Sequence, residues 1–169
     1  EMPIRNAVLA AMQILSQEFV MGRNFKDINK LPNIEKEIYS FDMLGEAART
    51  YEQAENYFNS YLNAIDEVGK INKEKNLVNG VSIKISALHP RYEMRKFAEL
   101  ESELLPKLSE LINYAYSENV EITIDAEEQD RLSISLHIIE KLAKEKLIKD
   151  WPGFGIALQA YGKRSFDVI

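Results

Sequence analysis

Cysteine is absent from all 169 residues. Disulfides, thiol catalysis, iron–sulfur clusters and cysteine-based zinc sites are therefore excluded. No apolar run approaches the roughly 20 residues that a bilayer-spanning helix needs. The longest near-apolar stretches, such as Asn6–Met12 (NAVLAAM), are far shorter. The first residues carry no basic region leading into an apolar core and a cleavage site, so no secretory signal is read there. Basic charge is also in deficit: 21 Lys and Arg stand against 27 Asp and Glu, a net charge of −6. Nucleic acid and anionic membrane both call for a basic face, so neither is an expected partner of this segment. Glycine is sparse, and Gly45 and Gly80 stand alone. No strand is followed by a Gly-rich loop, which removes the dinucleotide-binding fingerprint. A soluble cytoplasmic setting is the expectation. The start at Glu1, with Met2 second, suggests a piece of a longer product.

Apolar residues make up 46% of the chain and charged ones 28%, enough to build a core and to exclude disorder. Ile4, Val8, Met12, Leu15 and Phe19 recur three or four residues apart, which predicts one amphipathic helix over 4–21. Residues 1–36 are read as a helical segment, ending in a loop over 24–36 that can hold a short helix. Residues 37–169 then repeat one pattern four times, a β-rich run followed by a longer helical run. Strands are predicted at 37–44, 81–88, 120–126 and 154–161. Helices are predicted from the Thr50 cap to Gly69, over 96–117 with Pro106 kinking or dividing it, and over 130–144. The chain ends in the start of a further helix (KRSFDVI).

Strands alternating with helices imply βαβ units and a parallel sheet. Parity decides between an open doubly wound sheet and a barrel. Val81, Ile83, Ile85 and Ala87 oppose Ser82, Lys84 and Ser86; Val120, Ile122, Ile124 and Ala126 oppose Glu121, Thr123 and Asp125. Tyr39, Phe41 and Met43 oppose Ser40 and Asp42, while Phe154, Ile156, Leu158 and Ala160 oppose Ala157, Gln159 and Tyr161. A doubly wound sheet is covered on both faces and calls for two apolar faces. A barrel calls for one, with polar groups inside its mouth. The expected fold is therefore α/β: the N-terminal portion, about four βα units, of a (β/α)8 TIM-like barrel preceded by the helical segment. Eight strands need about 250 residues, so 37–169 reads as the first half, with the C-terminal half missing.

Asp42, Lys84, Asp125 and Gln159 share the inward parity near the C-terminal strand ends, where barrels build their sites. Two carboxylates, an ammonium and an amide can bind a zwitterion or hold a cofactor. Lys84 suits a substrate carboxylate, and the Gln159 amide suits a heteroaromatic edge that alternates donors and acceptors. The plainer alternative is that Lys84 only neutralises Asp42 or Asp125 as an internal ion pair. His89, in Leu-His-Pro-Arg-Tyr, is expected to sit in a tight turn rather than act as a base, and His137 to be structural. Glu127 and Glu128 are assigned to helix N-terminal charge, since no histidine stands at ligand spacing, so no metal is expected. Glu99, Glu101 and Glu103 read as a solvated helix face. Tyr51, Tyr57, Phe58 and Tyr61 read as a core stripe.

Four ordered motifs, Tyr39–Ala47 (YSFDMLGEA), Val81–Glu93 (VSIKISALHPRYE), Ile124–Leu132 (IDAEEQDRL) and Gln159–Arg164 (QAYGKR), span nearly the whole chain. They strongly resemble the proline dehydrogenase domain of bacterial bifunctional proline utilization A proteins. The resemblance implies FAD-dependent oxidation of L-proline to Δ1-pyrroline-5-carboxylate, with electrons passed to membrane quinone. It implies that Lys84 binds the proline carboxylate beside Asp42, and that Glu46 forms a gating ion pair with an arginine. It places Asp125 and Gln159 on the flavin side. It also implies an aldehyde dehydrogenase domain, the other barrel half and peripheral membrane association in the full-length protein. The family's later Arg-Leu-Val-Lys-Gly segment and paired-arginine motif are absent from these residues, so this stretch alone is expected to be inactive. Two other readings stand beside it: a Schiff-base lyase of aldolase type using Lys84, and a non-enzymatic half-barrel interaction fragment.

Overall fold

The structure, a computed structural model, describes residues 2–16, 22 and 37–169. Two compact units divide the chain, Glu1–Glu37 and Ile38–Ile169. The first contains helix α1 (Met2–Ser16). The rest of the helix predicted to reach Met21, with Phe19, lies outside the described residues, as does the loop over 24–36.

The second unit is a parallel α/β sheet. Strands β1 (Ser40–Asp42), β2 (Gly80–Ile83), β3 (Glu121–Ile124) and β4 (Phe154–Ile156) pair in the order β1-β2-β3-β4, every neighbour parallel. Helices α2 (Tyr51–Lys75), α3 (Phe97–Glu118) and α4 (Leu132–Leu142) connect successive strands, and α3 packs between α2 and α4. Short helices α5 (Lys146–Asp150) and α6 (Ser165–Val168) flank β4.

Within the four strands the register bears out the alternation of apolar and polar positions. Phe41, Val81, Ile122 and Phe154 form one row across the sheet, and Ile83, Ile124 and Ile156 another. Val81, Ile83, Ile122 and Ile124 are essentially inaccessible. The intervening row, Asp42, Ser82, Thr123 and Gly155, faces the other way. Alternation of side chains along each strand therefore places the apolar rows under the helices and a polar row on the opposite face.

All four strands are shorter than predicted. The correction is largest at β2, where a 3-10 turn at Ile85–Ala87 replaces the strand. Ile85, Ser86 and Ala87 are all buried there, so alternation stops at Lys84. Likewise β4 ends at Ile156, and the parity read through Leu158–Tyr161 does not apply.

Helix α2 begins as the capping box requires, with Gln53 N–H donating to Thr50 Oγ1. The Gln53 side chain reaches one residue further back than expected and accepts from Arg49 N–H at 2.9 Å. The helix runs through Gly69 and ends at Asn76, which takes a left-handed conformation, as Asn119 does after α3. Gly69 serves packing instead: an added Cβ would lie 2.9 Å from Glu118 Cβ. Pro106 does not divide α3. It sits on the exposed side, where water can satisfy the Ser102 carbonyl it leaves without an N–H. Tyr61 and Phe58 are core, but Tyr51 is exposed, a correction to the predicted stripe. It lies on the first turn of α2 and hydrogen-bonds Glu99 at the protein surface.

At the N-terminal strand ends, Asn79 donates its N–H to Asn72 Oδ1 and accepts the Tyr39 N–H. Asn72 Nδ2 bridges the carbonyls of Asn79 and Asn119. These two buried amides tie α2, β1, β2 and α3 together at the end of the sheet opposite the polar cluster described next.

Candidate functional site

Lys84 immediately follows β2, in line with Asp125 after β3 and near Asp42 at the end of β1. Its ammonium is 2.7 Å from both carboxylate oxygens of Asp42 and 2.7 Å from Asp125 Oδ2. The side chain is only 13% exposed. Burial by itself would lower its pKa. The hydrogen bonds to Asp125 and Asp42 outweigh that effect and hold the ammonium above the ordinary lysine range. Two further contacts fix the geometry. Lys84 N–H donates to the Tyr61 hydroxyl at 3.0 Å, and Asp125 Oδ1 accepts the Ala126 N–H. The polar residues predicted from three strands thus converge at one end of the sheet.

Gln159 shares a cavity with Asp125, formed where β3 and β4 give way to loops. It also lines a wider hollow with Glu46, Glu127, Gln129, Lys163 and Arg164. Among the described residues, neither Gln159 nor Glu46 has a side-chain hydrogen bond or ion pair. The structure therefore brings Asp42, Lys84 and Asp125 into contact, and places Gln159 and Glu46 on the adjoining surface. Gln159 thus offers an amide free to donate and accept, on an open wall that carries Lys163 and Arg164 together with Glu46, Glu127 and Glu128.

Glu127 corrects the sequence reading. It does not sit as a charge at a helix N-terminus; its carboxylate is 3% exposed and bridges two elements. Oε1 accepts the Ser86 N–H at 3.0 Å and Oε2 accepts from Arg131. Glu127 lies one residue past the predicted third strand, so the alternation that selected Asp125 was not carried on to it. Glu128 is the exposed member and pairs with Arg131 Nε.

His89 is buried in the turn after β2. Its Nδ1 accepts the Arg91 N–H, and Nε2 meets Glu103 at 3.2 Å. Glu99 completes a group whose potential ligand atoms lie within 4.8 Å of one another. Both ring nitrogens are nevertheless engaged: the Arg91 contact places the imidazole proton on Nε2, directed at Glu103. Neither offers a free lone pair to a cation. His137 is on the exposed side of α4, bonded to the Ser133 carbonyl and edge-on to Phe97. The acidic face of α3 is solvated yet partnered: Glu99 pairs with Lys96 and Glu101 with Lys141.

Among the described residues, no helix is long and apolar enough to cross a membrane. A family model described as proline dehydrogenase matches residues 25–169. The chain is 42% identical over 171 residues to the bifunctional protein PutA of Klebsiella aerogenes, covering 98% of the chain and 13% of that protein. It is 42% identical over 166 residues to the bifunctional protein PutA of Escherichia coli K12, covering 95% of the chain and 13% of that relative. A crystal structure of a Bradyrhizobium japonicum proline utilization A variant superposes with a TM-score of 0.81 at 40% identity, covering 98% of this chain and 17% of that one. The chain thus spans well under a fifth of the length of these relatives.

Proposed function

The chain belongs to the proline dehydrogenase family, and from that premise we propose that it supplies part of an FAD-dependent site oxidising L-proline to Δ1-pyrroline-5-carboxylate. In this reading residues 37–169 are the first four βα units of a (β/α)8 barrel, with 1–36 a helical segment before it. The C-terminal strand ends form the barrel mouth. The observation that carries the proposal is the Lys84 ammonium held between Asp42 and Asp125 at 2.7 Å.

Proline is a zwitterion with a carboxylate and a ring ammonium. Lys84 complements the first; Asp42 and Asp125 complement the second, and together they keep the site's net charge at −1. Glu46 stands at the open wall, where it can pair with a cation over the bound substrate. Gln159 and Asp125 would hold the flavin edge, with Lys163 and Arg164 toward its phosphates. When bound, FAD supplies the acceptor for the hydride that leaves the proline ring carbon. For that the ring ammonium must first release a proton to solvent, which frees the nitrogen lone pair to form the C=N bond as the hydride departs. The protein's own task is orientation and charge complementarity. Quinone at a membrane surface is the proposed final acceptor, and further domains, an aldehyde dehydrogenase among them, the proposed covalent partners. The 169 residues by themselves are expected to hold flavin weakly and not to turn over proline.

A lyase reading finds little support in the geometry. A Schiff-base lysine must be a neutral amine to attack a carbonyl, and the two carboxylates hold Lys84 protonated. The deciding experiment is proline-dependent flavin bleaching by the full-length protein, wild type against Lys84→Met. A fall in kcat/KM on the order of 10- to 100-fold is expected for loss of a charge-assisted contact. Unaltered turnover would remove Lys84 from the mechanism, and a borohydride-trapped adduct at Lys84 would restore the lyase.

A further inference from the structure

Glu46 lies in an unusual stretch of backbone. Gly45 before it has φ +142° and Ala47 after it φ +49°. Left-handed conformation costs a residue with a Cβ about 1–2 kcal/mol, so the surroundings must impose it. They do so through one residue. Ala47 N–H donates to Ser86 Oγ at 3.0 Å, and Ala48 N–H donates to the Ser86 carbonyl at 3.0 Å. Ser86 is itself held by the third polar group it possesses, its N–H, on Glu127 Oε1. Arg131 anchors the far oxygen of that carboxylate. Ser86 and Glu127 are 1% and 3% exposed, so these bonds are shielded from water.

We propose that Ser86 and Glu127 form a clamp that positions Glu46 at the mouth of the site. Three loops, following β1, β2 and β3, meet in this clamp. The Glu46 backbone is thereby fixed relative to Lys84, two residues before Ser86, and to Asp125, two residues before Glu127. Neither clamp residue touches substrate in this scheme; both act through Glu46. The proposal rests on the proline-oxidation reading, whose failure is read separately below.

The test is a double-mutant cycle of Ser86→Ala and Glu46→Ala in the full-length flavin-loaded protein. Its readouts are KM and kcat for L-proline and amide hydrogen exchange at Ala47 and Ala48. Ser86→Ala is expected to raise KM about tenfold with kcat held within about twofold, the scale of one shielded hydrogen bond. In the Glu46→Ala background the same change should move KM by less than about twofold. The Ala47 amide should exchange about tenfold faster while Ala48, whose acceptor is the main chain, keeps its protection. Glu127→Ala removes the acceptor of the Ser86 N–H and should resemble Ser86→Ala. Should Ser86→Ala not fold, Ser86→Cys keeps the volume with a weak acceptor and takes its place. Equal KM effects in both backgrounds, or unchanged Ala47 exchange, would overturn the clamp. A wild type without proline oxidation would overturn the functional reading, and the exchange data would then decide the clamp alone.

Discussion

Tyr61 shows how one side chain can serve core and site together. Its ring is buried under the sheet, and its hydroxyl accepts the Lys84 N–H where β2 runs out of ladder partners. Burial pushes the phenol from 10.0 up to about 12, against a partial offset from the Lys84 amide. A phenol whose folded-state pKa is raised contributes its full stability below pH 10 and loses it as pH climbs toward 12. Phenylalanine fills the same space but leaves the Lys84 N–H without an acceptor. Tyr61→Phe should therefore cost about 1–3 kcal/mol at neutral pH. That gap should narrow between pH 10 and 12, because only the wild type pays out a proton there. Urea unfolding at neutral pH and near pH 11 measures both; a pH-independent gap would remove the phenol from the account. Lys84, also raised, loses its contribution in a still more alkaline range.

Elements were legible in the sequence wherever a period ran long enough to be read. The 22-residue α3 and 25-residue α2 follow their apolar stripes, and their left-handed asparagine ends close them. Gly69 misled because glycine commonly ends helices, yet here it permits α2 and α3 to touch at Glu118. Gly69→Ala tests this. Propensity alone would add about 1 kcal/mol of stability. Crowding against the Glu118 Cβ and carbonyl, where little can yield, costs about 1–3 kcal/mol. The expected outcome is a lower Tm, and a higher one would show that the helices separate without penalty. The strand ends were misread for a related reason. Alternation continues in the letters through Ile85 and Ala87, but the backbone has already turned to bring Ser86 N–H onto Glu127.

As a whole, the Ile38–Ile169 unit carries an arc of parallel strands with β1 and β4 at its margins. Among the described residues neither outer edge has a strand partner, and Ile156 on β4 is 39% exposed. Unpaired edges recruit other strands. The isolated 169 residues are expected to associate with increasing concentration, followed by light scattering, with little proline-dependent dye reduction. Ile156→Lys should diminish that association by placing a charge on the edge. A monomer at every concentration, or robust turnover, would contradict the incomplete-barrel reading.

The sequence by itself determined the order of strands and helices, which faces are apolar, and that Asp42, Lys84 and Asp125 share one side of a sheet, because side-chain period and burial are local properties of the chain. Four motifs also carried the family. Only the tertiary structure decided that Lys84 is shared between two carboxylates, that Glu127 is a buried tie, and that Ser86 joins three loops. Those facts depend on distances between residues about 40 positions apart, which strand register and backbone turning set and which no local pattern encodes.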